Sequence, residues 1–82
     1  MELHCGLDLH SNNTYAGIID QNGKRVVRTK LKNNPENIVH FLDPYKEDLA
    51  SIVVESTYNW YWLVDLLMDE KYKVHLAHRS SL

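Results

Sequence analysis

The first nine residues alternate between apolar and polar side chains. Leu3, Cys5, Leu7 and Leu9 fall on one side of an extended chain, and the polar residues and Gly6 fall on the other. A period of two is typical of a strand with one face in the core. The N-terminus is therefore predicted to form the first strand of a sheet.

Two further short strands are predicted after a polar turn. Residues 15–19 and 25–31 are rich in apolar and β-branched side chains, which favour strands. Asn22 and Gly23 lie between them, and both tolerate the positive φ of a tight hairpin turn. We therefore predict an antiparallel meander of three strands.

A helix is predicted next. Asn34 can cap it, and Pro35 suits the first helical position because no backbone N–H is needed there. Apolar side chains then recur with helical spacing from Ile38 to Tyr45. Pro44 is expected to end this helix or close its last turn.

The rest of the chain predicts a strand, a helix and a last strand. The apolar run at 51–55 suits a strand covered on both faces, 57–71 has helical spacing, and 72–77 is extended. The order β-β-β-α-β-α-β over residues 1–82 predicts one α/β domain. We expect a mixed sheet with strand order 3-2-1-4-5 and helices on its faces.

Composition narrows the class of protein. The 82 residues are 44% hydrophobic and 24% charged, which excludes collagen-like, low-complexity and strongly disordered chains. No apolar run is long enough to span a membrane, and the N-terminus does not resemble a signal peptide. Cys5 has no second cysteine to pair with, so we expect a reducing, cytoplasmic setting.

The charge distribution is more informative than the net charge of −2. Five of the nine basic residues lie between positions 24 and 32, and no acid lies between Asp20 and Glu36. Arg28, Lys30 and Lys32 share one face of the third strand. They either protect an edge strand from pairing or contact phosphates, and both interpretations remain open.

Asp8 and Glu55 are the strongest candidates for chemistry. Each lies near the end of a predicted strand, and strand ends gather ligand sites in open α/β sheets. If the first and fourth strands pair in parallel, the two carboxylates become neighbours, and a hard divalent cation would offset their repulsion. The simpler alternative is that both merely end their strands. His10 follows on the same face as Asp8 and could touch a metal-bound water or a phosphate.

An ordered set of segments resembles the N-terminal catalytic domain of the DEDD transposases of insertion-sequence family one-ten. The segments are Gly6-Leu7-Asp8-Leu9-His10, Val53-Val54-Glu55-Ser56-Thr57, Trp60-Tyr61-Trp62-Leu63-Val64-Asp65-Leu66-Leu67 and Tyr72-Lys73-Val74-His75-Leu76. The resemblance covers essentially the whole chain. It implies a RuvC-like domain with a ribonuclease-H-like fold.

The resemblance also implies a function. Asp8 and Glu55 match the first two acids of the family's set, which binds Mg²⁺ or Mn²⁺, and the last two acids would lie beyond Leu82. The chain is then the N-terminal part of a longer, prokaryotic DNA transposase or recombinase. Its partners would be DNA, a structured guide RNA and further copies of the protein. Alone, these 82 residues are expected to bind metal weakly and to be inert.

The chain departs from the family pattern at Tyr58 and Lys71, where many members have glycine. At Lys71 a left-handed helix end is expected, and a residue with a Cβ costs about 1 kcal/mol there. Neither position matches an acid of the site. The departures therefore indicate a subgroup.

Several alternatives remain. The aromatic cluster Tyr58, Trp60, Tyr61 and Trp62 could stack on bases, but core packing or an oligomer contact is the simpler interpretation. His75-x-x-His78 has no second pair of ligands with zinc spacing. A sugar-kinase or actin-like half-domain shares the order of elements, although it needs glycine where His10 stands. A non-catalytic interaction module is the third possibility.

Overall fold

A computed structural model of the chain describes residues 2–56 and 60–78. Within them the element order is β-β-β-α-β-α-β, as predicted. The bounds are β1 Leu3–Leu9, β2 Asn13–Asp20, β3 Arg25–Lys32, α1 Pro35–Leu42, a 3₁₀ turn Asp43–Tyr45, β4 Leu49–Ser56, α2 Tyr61–Asp69 and β5 Val74–His78.

The five strands form one mixed sheet with the predicted order β3-β2-β1-β4-β5. β1 pairs antiparallel with β2, and β2 pairs antiparallel with β3. β4 runs parallel to β1 and to β5. The first strand in the sequence therefore lies in the middle of the sheet, and its two neighbours come from distant parts of the chain.

Both helices lie on the same face of the sheet, so the prediction of helices on both faces is wrong for the described residues. The chain moves in one direction across the sheet, from β3 to β4 and then to β5, and right-handed crossovers in one direction stay on one side. The prediction that β4 is covered on both faces is wrong for the same reason. Val53 points away from the helices and is 37% exposed.

A single core fills the space between the sheet and the helices. The alternating residues of β1 are buried there, as the N-terminal pattern predicted. They meet Ile38 and Leu42 of α1 and Leu63 and Leu67 of α2. This packing fixes the strand register, because a slip of one residue would turn the apolar side chains of β1 away from the helices.

The hairpin between β2 and β3 differs from the predicted two-residue turn. The N–H of Gly23 donates to the carbonyl of Asp20 at 2.9 Å, and Gly23 has φ +83°. Asn22 keeps a negative φ; its N–H and that of Lys24 each donate to the Asp20 carboxylate at 2.9 Å. A three-residue loop with one left-handed glycine therefore joins these strands.

The helices are shorter than predicted. α1 ends at Leu42, since Pro44 has no N–H to continue the α-helical pattern, and residues up to Tyr45 form the 3₁₀ turn. The prediction of a helix from 57 falls partly on residues 57–59, which lie outside the described residues. α2 runs from Tyr61 to Asp69, and Lys71, which follows the helix cap, has the left-handed φ of +71°. Among the described residues, no helix has the length and apolar character to cross a membrane.

Candidate metal and nucleic-acid site

The sheet face opposite the helices carries most of the predicted site residues. One row of paired residues crosses all five strands on that face: Lys30, Tyr15, Asp8, Glu55 and Ala77. Residues paired across a sheet project from the same face. We call this surface the open face, because no helix of the described chain covers it.

Asp8 and Glu55 are direct neighbours, as the sequence predicted. They pair in register on the parallel strands β1 and β4, near the carboxyl end of each strand. Neighbouring strands are separated by about 4.8 Å, so the two carboxylates project side by side. Both line a shallow cavity of about 340 Å³, with Tyr15 and Val53 as part of its wall.

The core holds this pair in place from the other side of the sheet. Leu7, Leu9 and Val54 flank the two acids along their strands, and all three are buried. The hydroxyl of Ser56, also buried, donates to the carbonyl of Leu9 at 3.4 Å. These contacts tie the ends of β1 and β4 together, so the acids are positioned by backbone that cannot shift without disturbing the core.

His10 contacts Asp8 directly. Its Nε2 lies 3.2 Å from Oδ2 of Asp8, and an ionised carboxylate only accepts, so the imidazole donates through an Nε2–H. The His10 ring also meets the Tyr15 ring edge to face, with centroids 5.2 Å apart. His10 therefore lies beside the acid pair, as predicted. Tyr15, which the sequence analysis did not single out, is the fourth residue of this group, after Asp8, Glu55 and His10.

The donor set fits a hard divalent cation. Mg²⁺ is commonly held by one or two carboxylates and keeps several waters, and Asp8 with Glu55 supplies two carboxylates on one surface. In the described parts of the chain, no three His, Cys, Asp or Glu side chains group as a metal site. Two carboxylates and solvent would thus make a weak site, open toward the solvent side of the sheet.

The three predicted basic residues also lie on the open face. Lys30 pairs with Tyr15, Arg28 with Gly17, and Lys32 with Asn13, while Val27 and Leu31 turn toward the helices. β3 is an edge strand, so protection against pairing remains one role for this charge. Asp8 and Lys30 lie in the same row but two strands apart, so their backbones are separated by about 10 Å.

The aromatic cluster and the His75-x-x-His78 pair, the other features singled out in the sequence, lie only partly within the described residues. Tyr61 is 64% exposed and stacks on Trp60 with centroids 4.2 Å apart, whereas Trp60 and Trp62 pack partly against the core. Tyr58 lies outside the described residues, as does the His78 side chain. His75 pairs with Val53 and is exposed on the open face.

Sequence reasoning also missed a group of asparagines at one end of the sheet. Asn12, Asn13, Asn33, Asn34 and Asn37 surround one cavity together with Lys30 and Lys32. Their signal in the sequence is two Asn pairs placed at the β1–β2 turn and at the start of α1. The two Asn pairs are close in space because β2 pairs with β3, which places the β1–β2 turn beside the β3–α1 junction.

A scan against protein-family models found no match for this chain, and a search of curated proteins found none either.

Proposed function

We propose that this chain forms part of a metal-dependent DNA transposase or recombinase, with a ribonuclease-H-like fold and the family resemblance described above. The observation that carries the proposal is the register of β1 and β4, which makes Asp8 and Glu55 neighbours at the carboxyl ends of parallel strands. The strand order 3-2-1-4-5 supports it, because it makes β4 the parallel neighbour of β1.

In this function Asp8 and Glu55 hold Mg²⁺ or Mn²⁺, with the last two acids of the family's set supplied from outside these 82 residues. Bound metal ions would activate the attacking oxygen and stabilise the leaving oxygen of a phosphodiester. His10 orients the Asp8 carboxylate through its Nε2–H. DNA, and a structured guide RNA in the longer protein, would lie over the open face.

Metal binding by the isolated chain is the first test. We expect Mn²⁺ to broaden the amide signals around Asp8 and Glu55 in NMR spectra. The dissociation constant should be no tighter than about 1 mM, because the described residues supply only two carboxylates. Asp8→Asn should abolish the broadening. Asp65→Asn is the matched control, since Asp65 is an exposed acid on α2.

The activity itself is tested in a protein that extends this chain with the remaining acids. There, Asp8→Asn and Glu55→Gln should each abolish strand cleavage while circular dichroism stays unchanged. The 82-residue chain alone should not nick DNA. The proposal would be contradicted if Mn²⁺ broadening were unchanged in Asp8→Asn, or if cleavage survived in both Asp8→Asn and Glu55→Gln.

A non-catalytic interaction module is the second candidate, and the exposed apolar residues of the open face favour it. Tyr15 is 47% exposed, Ile19 is 42% exposed, and both lie on the same face as Val53. Such a patch is typical of a surface that another protein covers. Here Tyr15→Ser would weaken partner binding, whereas Asp8→Asn would leave it unchanged.

A further inference from the structure

A second cavity lies at the end of the sheet where α1 begins. Its volume is about 820 Å³, and none of the described residues that line it is acidic. Each lining residue is an asparagine or a lysine: Asn12, Asn13, Lys30, Lys32, Asn33, Asn34 and Asn37. Amide NH₂ groups and ammonium groups are hydrogen-bond donors, so the cavity is suited to an anion with several acceptor oxygens.

Hydrogen bonds hold the side chain of Asn33, which lines the cavity, in one position. Its side-chain oxygen accepts from the hydroxyl of Thr14 at 2.6 Å, and its side-chain nitrogen donates to the carbonyl of His10 at 2.6 Å. Thr14 is fully buried. The backbone adds a further bond, from the N–H of Asn33 to the carbonyl of Asn12 at 3.1 Å. The β1–β2 turn and the β3–α1 junction are therefore locked together around the cavity.

The cations of the cavity have no ion-pair partner in the part of the chain that the structure describes. Among the described residues, neither Lys30 nor Lys32 makes an ion pair or a side-chain hydrogen bond. The side chains of Asn12, Asn13 and Asn37 likewise make no hydrogen bond within the described part of the chain. Two positive charges and three amides thus face a common space with their donors available.

The position of the cavity relative to the acid pair suggests what the anion is. β1 and β3 run in the same direction, so Asp8 and Lys30 lie toward the same end of the sheet, in one row and about 10 Å apart. Arg28 continues the line of cations along β3, and alternate side chains of a strand are spaced by about 7 Å. A line of three cations suits a chain of phosphates better than a single free phosphate.

We propose that this cavity binds a phosphate group of a nucleic-acid strand, and that Arg28 receives a neighbouring phosphate of the same strand. The proposal deepens the function proposed above and rests on it for the nature of the ligand. In that arrangement the nucleic-acid strand runs along β3 at the edge of the open face, two strands away from Asp8.

Binding of a fluorescein-labelled 12-nucleotide single strand, followed by anisotropy over a series of salt concentrations, tests the proposal. Lys30→Gln and Lys32→Gln should each weaken binding about threefold to tenfold at low salt and lower the salt slope by about 1, as expected for the loss of one phosphate contact. Lys73→Gln is the control and should have a smaller effect, because it makes the same charge change next to β5, at the opposite edge of the sheet from β3.

Asn37→Asp gives a test that alters charge without altering shape. A carboxylate in place of an amide should weaken strand binding as much as a lysine variant, and Asn22→Asp in the hairpin loop should not. In NMR spectra of the wild-type chain, the strand should shift the side-chain NH₂ signals of Asn12, Asn13 and Asn37. These signals report on the cavity even where a variant is less stable.

The outcomes separate this proposal from the proposed function. Inorganic phosphate that shifts the asparagine signals while the strand does not would overturn it in favour of a free-anion site. Equal strand affinity for all cavity and control variants would also overturn it. Strand binding lost in the cavity variants but retained in Asp8→Asn supports it, whether or not the acids prove to hold metal.

Discussion

Replacing Lys71 by glycine should make this protein more stable, although it removes a side chain and adds none. Lys71 has φ +71° and follows the last turn of α2. Its N–H donates to the carbonyl of Met68, and the N–H of Tyr72 donates to the carbonyl of Leu67, both at 3.0 Å. This pair of bonds is the Schellman motif, whose left-handed position is usually glycine.

The size of the effect follows from two opposing contributions. A left-handed conformation costs a residue with a Cβ about 1–2 kcal/mol relative to glycine. Glycine also makes the unfolded chain more flexible, which lowers the free energy of unfolding by about 0.4–1 kcal/mol. The Lys71 side chain is exposed, so its removal adds little. We expect a net gain of about 0.5–1 kcal/mol, which corresponds to a rise in Tm of about 2–8 °C for a domain of this size.

Urea unfolding followed by tryptophan fluorescence measures this gain directly. Lys71→Ala is the matched control, because it removes the same side chain but keeps the Cβ, and it should not reproduce the gain. Lys71→Asn should fall between the two, since asparagine tolerates the left-handed region. If glycine and alanine give the same free energy of unfolding, the strain at Lys71 is not what the backbone geometry implies.

Three other positions offer independent tests. Gly23→Ala should lower the free energy of unfolding by about 0.5–1 kcal/mol, because φ is +83° there and the less flexible unfolded chain offsets part of the cost; an unchanged urea midpoint would contradict the turn geometry. Asn33→Ala should lower it by about 1–3 kcal/mol, since the buried Thr14 hydroxyl loses its acceptor, and a Thr14→Val, Asn33→Ala double variant should recover part of the loss. Burial raises the pKa of Cys5 from 9.0 to about 12, so its contribution to stability is complete below pH 9 and is lost as the pH rises toward 12. Urea unfolding should therefore show a loss of about 2 kcal/mol between pH 8 and 10.5 that is absent in Cys5→Ala, and parallel profiles for the two proteins would refute it.

Most of the fold could be predicted from local patterns. The alternation in β1, the cap at Asn34 and the helical spacing after it each depend on a few neighbouring residues, and the structure confirms them. The neighbouring positions of Asp8 and Glu55 followed once the strand order was inferred from the order of elements.

The remaining features depend on contacts between distant segments. The common side of both helices follows from the direction of the crossovers, which the sequence analysis did not use. The asparagine cavity forms from the β1–β2 turn and the β3–α1 junction, and nothing in the local pattern of Asn12 or Asn33 indicates that they meet. The start of α2 at Tyr61 could not be predicted, because the residue before it, Trp60, has no capping side chain that would mark the helix start in the sequence.

The central place of β1 has a consequence for folding during synthesis. Of the five strands, β1 is synthesised before the others and can pair with β2 across a short loop, but its other edge stays unpaired until β4, which begins at Leu49, has been made. Until then the middle strand of the final sheet has an unpaired edge, and Asp8 has no acidic neighbour. Pairings over such a separation form slowly, so the nascent chain passes through a state in which the meander exists and the acid pair does not. The pair of acids that we propose to hold metal is thus assembled only in the late step that joins β4 to β1.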